Sequence, residues 1–238
     1  MAGLDLIPDD IRKLYEVHEW RNACLILTGA HPNEFQDILT ALRAFKLPKS
    51  QILKAGGGKS PLSKRLDSHL YNLGWEEKSF DTKITVDEME YDAPTHGVDC
   101  FKNRVALEVE WNNKDPFFDR DLNNFRLLFD LHVIDLGVIV TRCDELQEIF
   151  KELGKGPSYG ASTTHMSKLL PKVDGGAVGG AVGGAVGGAV GGTVGVGVTA
   201  VVQSAVPYAF FALAVLQSYW QGGSRTQAAL PLLNDEPF

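Results

Sequence analysis

The spacing of hydrophobic residues changes near residue 75, from a helical repeat to an alternating one. Over 8–73 the period is close to 3.6: Phe35, Ile38, Leu39 and Leu42 share one helix face, behind Pro32 at a first helical position. Ser60-Pro61 opens a further helix with Leu62, Leu66, His69, Leu70 and Leu73, and Gly74 is placed to close it. The pattern predicts a helical lead-in. Over 75–86 and 96–111 polar and apolar residues alternate as in strands, and Lys102-Asn103-Arg104 breaks the second stretch as a hairpin turn. Asp115-Pro116 starts a helix whose Phe118, Leu122, Phe125 and Phe129 form one stripe; the apolar run 133–140 is a buried strand, and 144–153 a helix ended by Gly154. Strand, hairpin, helix, strand, helix over 76–153 makes an α/β core with mixed pairing.

The 44% hydrophobic content of 238 residues is ordinary for a globular chain with a real core. Cys24, Cys100 and Cys143 lie far apart, and the early charges of MAGLDLIPDDIRK leave no secretory apolar region, so a reducing, cytoplasmic setting is expected. A net charge of −7 argues against indiscriminate nucleic-acid binding. Its distribution changes that picture. Between Arg43 and Arg65 there are seven basic residues and no acidic one, whereas 76–121 holds thirteen acidic and six basic residues. The basic arm reads either as a footprint for a phosphate backbone or as a solvated surface.

Within VALEVEW, residues 105–111, alternation puts Val105, Leu107, Val109 and Trp111 on one face, and Glu108 and Glu110 on the other. Two carboxylates about 7 Å apart on one strand face need a cation, a basic partner or raised pKa values if they lie near a core. A hairpin centred between Asn103 and Arg104 sets Asp99 opposite Glu108, with Cα atoms about 5 Å apart. A slip of one residue would turn Asp99 to the wrong face. Three such acids form an oxygen-rich cluster suited to Mg²⁺, which binds through one or two carboxylates and takes phosphate oxygens directly. An isolated ExE is ordinarily a surface strand; here the spacing D-x8-E-x-E, with Val and Leu around it, looks like the PD-(D/E)xK nuclease signature with glutamate for lysine.

The text HGVDCFKNRVALEVEWNNKDPFFDRDLNNFRLLFDLHVIDLGVIVTRCDELQEIF, and GPSYGASTTHMSKLLPK after it, closely resembles the BglII-type family of restriction endonucleases over roughly 60–172. The resemblance implies a restriction-endonuclease-like α/β core, with a central mixed sheet flanked by helices, and homodimers cutting both strands of a short palindromic DNA site. It implies Asp99 and Glu108 as metal ligands, and Glu110 at the position where related nucleases carry lysine, glutamate or glutamine. Glu110 would then orient or deprotonate the attacking water. A methyltransferase partner in the same system is expected, and no nucleotide cofactor. A DNA-binding relic of a nuclease, without cleavage, is the alternative.

Asn112 and Asn113 follow the catalytic strand, and the 158–165 loop carries Ser162, Thr163, Thr164 and His165. These groups suit base readout. The same loop also reads as an ordinary turn that caps the helix carrying Met166, Leu169 and Leu170. Lys59, Lys64 and Arg65 are the phosphate-contact candidates. Gly56-Gly57-Gly58-Lys59-Ser60 resembles the end of a phosphate-binding loop, but Leu53 stands where its first glycine belongs, and a flexible joint is expected instead. The six histidines lack zinc-ligand spacing; His96, three residues before Asp99, is the one placed to face the site.

The chain divides into a helical arm over 1–59, a nuclease core over 60–172 and a Gly/Ala/Val-rich tail over 173–238. Residues 175–224 contain no charged side chain and begin with four GGAV units. Three readings of the tail stand open: an altered reading frame after about Asp174, a membrane segment over 201–220, and a glycine linker with a packing helix. On the first reading the tail is foreign to the nuclease, it does not restore a missing strand, and deleting it leaves solubility equal or better.

Overall fold

The computed structural model describes residues 3–53, 60–92, 96–114, 116–160, 162–173 and 210–215. Helices α1 (Asp9–Arg12), α2 (Ala23–Ala30), α3 (Pro32–Ala44), α4 (Lys49–Leu53) and α5 (Pro61–Tyr71) precede the main run of strands. Strands β2 (Glu76–Lys78), β3 (Lys83–Val86), β4 (Met89–Asp92), β5 (Val98–Lys102) and β6 (Val105–Glu110) follow. Then come α6 (Pro116–Asp130), β7 (Leu136–Arg142), α7 (Leu146–Glu152) and α8 (Met166–Val173). Strands β1 (Tyr15–Trp20) and β8 (Phe210–Val215) come from the two ends of the chain and lie side by side.

The six-stranded sheet has the order β1-β8-β7-β6-β5-β2, and β3 and β4 form a separate hairpin. Strand β6 runs antiparallel to β5 and parallel to β7; β8 is parallel to β7 and antiparallel to β1. This is the mixed sheet expected of a restriction-endonuclease-like core. Its middle is apolar enough for a parallel pair: every residue of β6 and of β7 is buried. On β7, a side chain at Gly137 would meet the Phe125 ring at 2.5 Å, so the missing Cβ lets α6 settle onto the sheet.

Two expectations are corrected. The N-terminal stretch is not wholly helical, because Tyr15–Trp20 is a strand. Its residues alternate aromatic or β-branched Tyr15, Val17 and polar Glu16, His18, and the strand ends where Arg21 and Asn22 both take left-handed φ values of 56° and 59°. Nor does this stretch stand apart from the rest. One continuous core joins Ile7, Leu27 and Leu42 to Leu107, Val138 and Leu169.

The N-terminal helices also clasp the hairpin between β5 and β6. Asn103 and Arg104 form its two-residue turn, with φ 44° and 68°, the left-handed pair that matches the twist of two strands. Asn103 Nδ2 donates to Glu34 Oε1 at 2.6 Å, Lys102 Nζ donates to Asp37 Oδ2 at 2.7 Å, and Arg104 Nε donates to Asp135 Oδ2 at 2.8 Å. Upstream, Ser60 Oγ accepts from the Leu62 amide at 3.2 Å to cap α5, and Gly74, with φ 86°, turns the chain toward β2.

The second correction concerns the tail. Part of it, Phe210–Val215, is a strand inserted between β7 and β1, so the tail contributes to the sheet. The uncharged FFALAV reads equally as membrane or as central strand, and its six residues fall inside the 201–220 stretch. No helix among the described residues is long and apolar enough to cross a membrane. The glycine repeat and the 56–60 joint up to Lys59 lie outside the described residues.

Strand β8 is the sheet partner of β1, and its loss would leave β7 and β1 with unpaired backbone edges. Ending the chain after Asp174 is therefore expected to lower Tm by about 10 °C or more, or to give aggregated protein. Circular dichroism melting of the truncated and full chains checks this, and equal Tm values would show that β8 contributes nothing.

Candidate active site

Register brings the first two carboxylates together. Cys100 pairs with Leu107 and Lys102 with Val105, which carries Asp99 to the level of Glu108. The Asp99 amide donates to Glu108 Oε2 at 3.3 Å, and Asp99 Oδ2 accepts from the Val109 amide at 3.2 Å. Glu110 lies one pleat further along, on the same face of β6 as Glu108. Both glutamates are only 2% exposed.

A third buried acid meets them from α6. Asp121 is fully buried, and Arg120 Nε and Nη2 donate to its Oδ1 at 2.9 and 2.8 Å. Arg120 Nη2 also reaches Glu110 Oε1 at 3.4 Å, and Asn113 Nδ2 donates to Glu110 Oε2 at 2.7 Å. Asp121 lies outside the D-x8-E-x-E spacing, but its position in the helix marks it. Phe118, Asp121, Leu122 and Phe125 fall at i, i+3, i+4 and i+7, so the acid sits within the stripe that α6 turns to the sheet. Asp67, 2% exposed on the inner side of α5 with Leu66 and Leu70, is marked in the same way.

Burial sets the electrostatics of this cluster. It pushes the Glu108 carboxyl well above its ordinary range, and the charges of Asp121 and Asp99 push in the same direction. Glu110 is pushed up to about 9, first by burial and then by Asp121. Asp121 is also raised by burial, against the pull of Glu110 and Arg120. Burial and the neighbouring Asp121 thus favour the protonated form of Glu110 in the folded chain. Before it can accept a proton from water, it must lose its own.

The donor set fits a hard divalent cation. Glu108 Oε1 and Asp121 Oδ2 are buried carboxylate oxygens without a hydrogen-bond partner, the kind of deficit that a cation removes. Among the described residues no three or more His, Cys, Asp or Glu side chains are grouped so that together they could hold a metal ion. A pair of carboxylates is enough for Mg²⁺, which keeps several water ligands and takes phosphate oxygens.

The remaining sequence candidates are dispersed. His96 is exposed, and its carbonyl accepts from Asn124 Nδ2 at 2.9 Å. Lys64 lies exposed and Arg65 half-buried on α5. Asn112 Nδ2 donates to Ser158 O at 3.0 Å. In the loop, Ser162 is exposed, but Thr163 Oγ1 is engaged by Arg142 at 2.6 Å, and Thr164 and His165 are 0% and 9% exposed. His165 Nδ1 lies 2.6 Å from Asp144 Oδ1. Thr164 and His165 are thus buried and engaged within the fold, whereas Ser162 is exposed. The alternation of short polar residues in that loop signals internal hydrogen bonding as readily as readout.

The family described as "Restriction endonuclease BglII/BglIII" matches residues 15–183. The chain belongs to this family. The match begins at β1, so it takes in the N-terminal strand and helices as well as the 60–172 stretch that carries the resemblance in the sequence. No curated protein sequence matches the chain. Membership in this family of restriction endonucleases makes the chain a nuclease of the hydrolase class, with DNA as its substrate.

The raised Glu110 carboxyl makes a prediction about stability. The folded chain keeps a proton that the unfolded chain releases above its ordinary value of 4.5, so the group's favourable share is complete below that pH and is lost up to about 9. Glu110→Gln removes the titration. In metal-free buffer its Tm should exceed wild type by about 3 °C or more at pH 8, and by less at pH 5. A gain that is constant or shrinks with rising pH would contradict a proton held on Glu110.

Proposed function

We propose that the chain is a type II restriction endonuclease that acts as a homodimer at a short palindromic site, with Mg²⁺ held by Asp99 and Glu108. The observation that carries this reading is the unpartnered, buried Glu108 Oε1 beside Asp99, in a carboxylate cluster that the fold has sunk into its sheet. Family membership supplies the reaction class. When bound, the cation supplies positive charge to the phosphoryl oxygens and eases ionisation of a water. Glu110 orients that water and, once deprotonated, takes its proton. Arg120, whose guanidinium spans Asp121 and Glu110, offsets the negative charge that develops on Glu110.

Lys59, Lys64 and Arg65 contact phosphates, and the exposed Ser162 with Asn112 reads bases. The enzyme works in the cytoplasm beside a methyltransferase that protects the host's own sites. Binding without cleavage would instead favour the relic reading.

Asp99→Asn and Glu108→Gln are each expected to lower Mg²⁺-dependent cleavage by more than about a hundredfold, beyond the usual effect of losing an outer-shell partner. Specific DNA binding, read by gel shift in Ca²⁺, should persist. Cleavage near the wild-type rate in either variant removes the assignment. Replacing Lys59, Lys64 and Arg65 by alanine should weaken binding to every sequence alike and reduce the log–log salt slope by up to about three. Loss confined to a single sequence would mean that these residues read bases.

A further inference from the structure

The chain leaves β6 through Trp111 and Asn112, the latter in the left-handed region with φ 67°, and is at once fastened to the 156–165 loop. The Thr164 amide donates to Asn113 O at 2.7 Å, and the Asn113 amide donates to Thr164 Oγ1 at 3.0 Å. Lys114 and Thr163 make an antiparallel bridge beside this pair. Asn113 is thus held at both its backbone groups by one residue, and that residue is fully buried. From beneath, Arg142, 1% exposed, donates through Nη2 to Thr163 Oγ1 at 2.6 Å and to Tyr159 O at 3.2 Å, with its guanidinium beside the stacked Phe150 and Tyr159 rings.

On its other side Asn113 reaches the reacting cluster, where Nδ2 donates to Glu110 Oε2 at 2.7 Å. The terminal torsion of a glutamate is soft, so the plane of its carboxyl is fixed by its donors rather than by the chain. Asn113 donates to it at 2.7 Å, and Arg120 reaches it at the longer distance of 3.4 Å.

We propose that Thr164 and Asn113 are positioning residues that pass the seating of the 156–165 loop to the carboxyl of Glu110. This rests on the nuclease reading above and adds to it a link between the loop carrying Ser162 and the group that orients water. A loop pressed against DNA moves Thr164, Thr164 moves the backbone of Asn113, and the amide of Asn113 turns the Glu110 carboxyl. Displacement of about 1 Å at a reacting group is enough to change a rate by up to a hundredfold. The loop thereby makes the rate of cutting depend on how the loop is seated, apart from how tightly DNA is held.

The test uses the full-length protein and plasmid carrying the site mapped from wild-type ends. Thr164→Val keeps the shape and removes the hydroxyl, and it should lower kcat about tenfold with KM nearly unchanged. Thr164→Ser should restore most of the rate. Asn113→Ala should lower kcat similarly, and combining it with Thr164→Val should cost no further rate, because both break one link. A solely structural role would lower Tm and the active fraction, leave the KM of the remaining enzyme unchanged, and give losses that multiply in the double variant. Multiplying losses, an unaffected kcat in Thr164→Val, or no rescue by serine would each overturn the proposal. A wild type that cuts no DNA overturns it together with the nuclease reading, whereas an active wild type with unaffected variants overturns this link alone.

Discussion

Everything at the site follows from burying carboxylates in the middle of a sheet. Glu108 and Glu110 project from β6, a strand with neighbours on both edges, and Asp121 descends on them from α6. Water cannot screen charges placed there. Asp121 raises the proton affinity of both Glu108 and Glu110, and the guanidinium of Arg120 is shared between Asp121 and Glu110. A fold optimised for stability alone would fill these positions with apolar side chains. Retaining acids leaves oxygen atoms without partners and creates a demand for positive charge, which is the property a site for phosphodiester hydrolysis requires.

The surrounding elements act to hold that arrangement still. The β5–β6 turn is gripped by Glu34 and Asp37 from α3 and by Asp135 before β7, so the register that sets Asp99 beside Glu108 is fixed from outside the hairpin. Thr141 Oγ1 donates to the Glu110 carbonyl at 2.8 Å and secures the end of β6 against β7. Beyond it, the loop bonds to Asn113 continue the same restraint. The cluster is thus held by contacts drawn from distant parts of the sequence.

Much of this was legible in the order of residues, and the failures have physical causes. The hairpin register could be read because Val105, Leu107 and Val109 recur at every second position opposite Glu108 and Glu110, and Asn103-Arg104 forms a two-residue turn. Helix α6 was legible from its aromatic stripe, yet Asp121 within that stripe was passed over because acids are usually solvated. Strand β1 was hidden by glutamates and a histidine at its middle positions, which suit a half-buried edge strand. Strand β8 was hidden by composition: a six-residue apolar run inside a glycine-rich, uncharged stretch carries no sign of its neighbours, and its place depends on β1 and β7, which lie far away in sequence. The burial of Thr164 and His165 is a property of the packed chain that a polar loop does not advertise.

The central claim is that this carboxylate cluster makes the chain a metal-dependent nuclease specific for one site. The most direct measurement is to incubate the purified wild-type protein with a mixture of plasmids, with and without Mg²⁺, and to sequence the ends produced. The account predicts paired double-strand ends at a single short palindromic sequence, formed only when the cation is present. Intact plasmid, cleavage unchanged by removing the cation, or ends scattered without a shared sequence would contradict it.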